Sequence, residues 1–109
     1  MSDSESNVQQ AEDFRMPLPP PSFSFIVLSL RLQVETHLGL MHFGGEDEKP
    51  EPDLSMARHS IDLMAVLLEK TRGNLELDEQ RLLENSLTEL RFRFVQVSDE
   101  VAKGGAQKA

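Results

Sequence analysis

The stretch Phe23-Ser-Phe-Ile-Val-Leu-Ser-Leu-Arg-Leu-Gln-Val-Glu-Thr-His-Leu-Gly-Leu-Met41 decides the fold, because it can be read in two ways. From Leu28 to Glu35 apolar and polar residues alternate with period two, the mark of a half-buried strand. The same residues also carry a helical stripe, with Phe23, Val27, Leu30, Val34, Leu38 and Met41 recurring at steps of three and four. Length separates the readings: no turn residue appears before Gly39, whereas an ordinary strand runs to about five or six residues. Ser22 is placed to cap a helix after a proline run, and Gly39 and Gly44 are placed to stop it. A helix over about 23–41 is the expectation.

As a helix this segment is apolar on more than one side, since Phe25, Leu28 and Leu32 lie off the stripe just traced. A helix apolar around most of its circumference needs cover on most sides. Two neighbouring helices cover one side only, and the simplest cover for the rest is a second copy of the chain. The expectation is therefore an isologous homodimer packed as a helical bundle, with Phe23, Phe25, Leu28, Leu32, Leu90 and Phe94 as its interface residues.

Two further helices follow. Asp53 is a good N-cap, and Leu54, Ala57, Ile61, Met64 and Leu68 form a stripe thickened by Leu63 and Leu67. Lys70 and Arg72 suit the negative end of the dipole and Gly73 suits a left-handed stop, giving a helix over about 54–72. Leu83, Leu87, Leu90, Phe94, Val97 and Val101 step by four and three through a last helix at about 77–100. Asp78 and Glu79 favour its first turn, and Glu89 with Arg93 makes an i,i+4 pair. The link between the second and third helices is short enough to make them an antiparallel hairpin. The fold class expected is all-α, a three-helix unit.

The 109 residues carry 11 Lys+Arg against 19 Asp+Glu, a net charge of -8. Most of that charge lies outside the helices. Residues 1–22 hold Asp3, Glu5, Glu12 and Asp13 against Arg15, and 44–53 hold Glu46, Asp47, Glu48, Glu51 and Asp53 against Lys49. We expect 1–22 to be a disordered acidic arm ending in a Pro-rich spacer, 23–102 the helical domain, and 103–109 a disordered tail. The helical part is then nearly neutral. With no basic footprint and no Tyr or Trp for base stacking, nucleic acid is not an expected partner. Zero Cys excludes disulfides, thiolate metal sites and cysteine nucleophiles, and fits a reducing compartment. The N-terminus is acidic without an apolar run of leader type, and the apolar stretch Phe23–Leu30 is far short of a membrane span. A cytoplasmic protein, with no membrane partner, is expected.

Several motifs resemble a bacterial family known only as domain of unknown function eighteen forty-four. They are Phe23-Ser-Phe-Ile-Val-Leu-Ser-Leu30, His37-Leu-Gly39, Ile61-Asp-Leu63, Glu69-Lys-Thr-Arg-Gly-Asn-Leu75 and Leu90-Arg-Phe-Arg-Phe94. The match runs over about 23–96, and the order of the motifs is its most specific feature. The resemblance implies small, all-helical proteins without an assigned activity or cofactor. One departure is Glu76, where members of the family often place Thr or Ser as the cap of the last helix.

No catalytic constellation emerges. His37 and His42 are five apart, a poor match to one helical face, while His59 and Asp62 are three apart. Neither pattern is a bundle-core ligand set, and the histidines read as surface or interface residues. Ser24, Ser29, Ser60 and Ser86 lack an elbow motif, and Gly44-Gly45 lacks the rest of a phosphate loop. The carboxylates of 44–53 do not have calcium-loop spacing. In Arg91-Phe-Arg-Phe94 the last Phe belongs to the core stripe, and Arg91 is free to pair with Asp62 or Glu69 across a subunit boundary.

The function expected is non-catalytic: a structural or protein-interaction module acting as a homo-oligomer, without metal or cofactor. Other protein partners are expected at the Pro-rich spacer or the acidic loop. The alternatives are a small-molecule or metal-binding regulator or enzyme with an interhelical pocket near His37 and Arg91, and a nucleic-acid accessory protein.

Overall fold

The structure, a computed structural model, describes residues 17–41 and 50–108. Residues 1–16, most of the acidic segment and His42 lie outside the described residues. Three helices are present: α1 (Phe23–His37), α2 (Leu54–Lys70) and α3 (Leu77–Lys108). Each packs against the other two, and no strand occurs among the described residues. The period-two reading of Leu28–Glu35 is thus set aside in favour of the helix. Alternation over eight residues is a local pattern, and burial of Val27, Val34 and Leu38 on one side outweighs it.

The starts of the helices follow from the residues before them. Ser22 Oγ accepts from Phe25 N at 3.1 Å, and Asp53 Oδ1 accepts from Met56 N at 3.1 Å, each satisfying a backbone donor that the first turn leaves free. At α3 the cap is built without Thr or Ser. Glu79 Oε1 reaches back to accept from Glu76 N at 2.8 Å, the carboxylate half of a capping box.

α1 ends four residues short of the expected Met41. Gly39 takes φ +77, Gly39 N donates to Thr36 O at 3.0 Å and Leu40 N donates to Glu35 O at 2.9 Å. This is a Schellman motif, which turns the chain at the glycine while using up the carbonyls of the last turn. α2 stops at Lys70 rather than Arg72. A turn closed by Asn74 N donating to Thr71 O at 2.9 Å follows, with Gly73 at φ +85 as its third residue. α3 runs to Lys108, past its expected end near 100. Gly104 does not adopt a left-handed conformation, so nothing in the backbone there terminates the ladder.

The core draws Val27, Val34 and Leu38 from α1, Ala57, Ile61 and Met64 from α2, and Leu83, Leu87, Leu90 and Val97 from α3. Phe23, Leu30, Leu54, Leu68 and Phe94 pack against it, half-buried. Met41 and Val101, the outermost members of their stripes, are exposed.

Candidate interaction surfaces

At about 100° per residue, Phe25, Leu28 and Leu32 leave α1 on the side away from Val27 and Val34. They remain 38%, 49% and 48% exposed, although they belong to a helix whose inner side is sealed. Two hydroxyls near this outer face are turned back onto the helix. Ser29 Oγ donates to Phe25 O at 2.8 Å and Thr36 Oγ1 donates to Leu32 O at 2.8 Å. Their polarity is spent locally, and the face is correspondingly more apolar. Pro19 and Pro20 lie alongside it. Together with Ser22, Ser24, Phe25, Leu28, Ser29 and Leu32 they line an open, largely apolar groove of about 440 Å³. The proline spacer and the outer face of α1, separate features in the sequence, are one surface in the structure.

The other expected interface residues are placed differently. Phe23 and Phe94 are half-buried against the core of the single chain, and Leu90 is fully covered within it. Leu90 therefore presents nothing to a second molecule in this conformation.

A second groove of about 260 Å³ lies between α2 and α3, lined by Arg58, Ile61, Asp62, Arg91, Phe94 and Val95. It contains the Arg91 half of the expected pocket. His37 is at the far end of α1 from Ser22, half-buried, where its carbonyl accepts from Asp53 N at 2.7 Å, and it does not line this groove. Glu69, one partner considered for Arg91, is taken by Arg72 at 2.8 Å.

His59 and Asp62 are exposed on α2, and the described residues include no group of three or more His, Cys, Asp or Glu able to share a metal ion. Ser60 and Ser86 are buried without a hydrogen-bond partner for either hydroxyl. Among the described residues, no helix is long and apolar enough to cross a membrane.

Sequence reasoning missed one link. Arg31 stands in the middle of the apolar stretch of α1, and its Nη2 lies 2.8 Å from Glu89 Oε2 on α3. The lone cation in an oily run was a signal that something should meet it, but no spacing rule could name a partner fifty-eight residues away.

A family model described as domain of unknown function (DUF1844) matches residues 20–96. No curated protein and no solved structure matches the chain.

Proposed function

The chain belongs to the DUF1844 family, whose description assigns no activity, and from that premise we propose that it is a non-catalytic structural or protein-interaction module working as a homodimer. One observation carries the proposal: α1 keeps Phe25, Leu28 and Leu32 in solvent on the side opposite its buried residues. An apolar face of this kind, flanked by Pro19 and Pro20, is self-complementary when two copies meet about a two-fold axis. In this reading α2 and α3 form an antiparallel hairpin that holds α1 against the core, so that only its outer side is offered. The Cys-free composition and the family resemblance support a bacterial, cytoplasmic setting. The proline spacer and the acidic segment are further places for a different protein to bind.

Light scattering on the full chain tests it. The expected mass is twice the 12.3 kDa of one chain. A double variant, Leu28→Glu with Leu32→Glu, should return the single-chain mass with its helical circular dichroism intact. A wild-type chain that stays single at every concentration tried ends the proposal.

A further inference from the structure

The groove between α2 and α3 has a composition unlike the α1 face. Its floor is apolar, made by Ile61, Phe94 and Val95, and its rim carries Arg58 and Asp62 from α2 and Arg91 from α3. The two helices supply their halves with one spacing, an Arg followed by lining residues three and four positions later. Arg31, Arg72 and Arg93 each have a carboxylate within 4.0 Å, whereas among the described residues Arg58 and Arg91 have none. Arg81 shares that lack but lines neither of the two grooves. In a chain of net charge -8, two unengaged guanidiniums from different helices over an apolar floor form a local positive site.

Their heights agree as well. In the antiparallel hairpin proposed above, on which this step rests, the link 71–76 sets Lys70 level with Leu77. Counting outward at about 1.5 Å per residue, Arg58 and Arg91 fall within about 3 Å of the same height. Ile61 then lies to one side of that level and Phe94 and Val95 to the other.

The geometry points to a binding site for a small amphipathic carboxylate, its head between Arg58 and Arg91 and its aromatic or branched body on Ile61, Phe94 and Val95. Guanidinium forks match a carboxylate edge, and the apolar floor rewards a body that a bare anion lacks. Asp62 on the same rim opposes a second negative charge, which disfavours a phosphate dianion.

Nuclear magnetic resonance titration of the ¹⁵N-labelled full chain, at fixed ionic strength, tests this with three probes: phenylacetate, acetate and inorganic phosphate. Phenylacetate should give saturable shifts at Arg58, Ile61, Asp62, Arg91, Phe94 and Val95. It should bind about fivefold or more tightly than acetate, from burial of the ring. R58Q and R91Q, at exposed positions, should each weaken it about fivefold or more with the helical spectrum unchanged, and D62N should strengthen it. Phosphate or acetate binding as well as phenylacetate, shifts centred on α1, or indifference to R58Q and R91Q would overturn the assignment. Both Arg variants should keep the wild-type mass in solution, whereas Leu28→Glu with Leu32→Glu should change the mass and spare the shifts, so the two proposals fail separately.

Discussion

Arg31 Nη2 stands 2.8 Å from Glu89 Oε2, an ion pair that ties α1 to α3. The same carboxylate group lies 3.4 Å from Arg93 Nε, and Arg31 Nε lies 3.9 Å from Glu35. Glu89 is thus the one acid between two guanidiniums. The side chains of Arg31 and Glu89 are 25% and 41% exposed, so water and salt screen the pair.

Glu89→Gln should therefore lower stability by about 0.5–1 kcal/mol at low salt, and by less at high salt. Arg93→Gln should cost less than Glu89→Gln, because it leaves the interhelical half in place. Urea unfolding at two ionic strengths measures both. A Glu89→Gln loss that does not shrink with salt would assign the effect to packing.

Gly39 has two reasons to be glycine. Its φ of +77 is strained for any residue with a Cβ, and a Cβ there would meet Pro50 O at 2.9 Å. Gly73, at φ +85, has nothing within 4 Å of the same position. Gly73→Ala should cost about 1 kcal/mol from conformation alone, and Gly39→Ala distinctly more. Equal urea midpoints for the two variants would show that the Pro50 approach relaxes freely.

Ser60 and Ser86 bury hydroxyls that meet no partner. Replacing either with Ala removes a polar group whose burial has no compensating bond, and should raise stability by up to about 1 kcal/mol. Thermal unfolding of each variant checks this. A lowered midpoint would mean that the hydroxyls bond to their own helix in solution.

Phe92 and Phe94 are two residues apart and opposite in role. Phe94 is half-buried against the core, while Phe92 is 63% exposed. Phe94→Ala should cost roughly 2–3 kcal/mol, below the ~3–5 of a fully buried ring, and Phe92→Ala no more than about 0.5. Comparable losses would indicate that Phe92 is covered in solution by another molecule.

Much of the fold is legible along the chain because local chemistry decides it. Ser22 and Asp53 start their helices where hydroxyl and carboxylate can accept an amide, and the stripes from Val27 to Leu38 and from Leu83 to Val97 are the ones that become buried. What periodicity does not resolve is how completely a given apolar residue is covered within one chain. Leu90 and Leu28 are both expected at the interface, yet one is sealed and the other half in water, since cover within the chain depends on all three helices together. The ends of α1 and α3 were misplaced for a related reason. Gly39 acts through a hydrogen-bond pattern that stops the helix before it, while Gly104 lacks any such pattern and the helix passes through. The groove between α2 and α3 is the harder one to foresee, because it joins residues whose proximity is created only by tertiary packing.

α3 has 32 residues against 15 and 17 for its neighbours. At about 1.5 Å per residue, some 16 Å of it continues beyond Val97, the last buried side chain described. That overhang acts as an outrigger. A fluorophore or affinity handle joined there would ride clear of both grooves, whereas the same cargo placed just ahead of Pro17 would sit beside the α1 face.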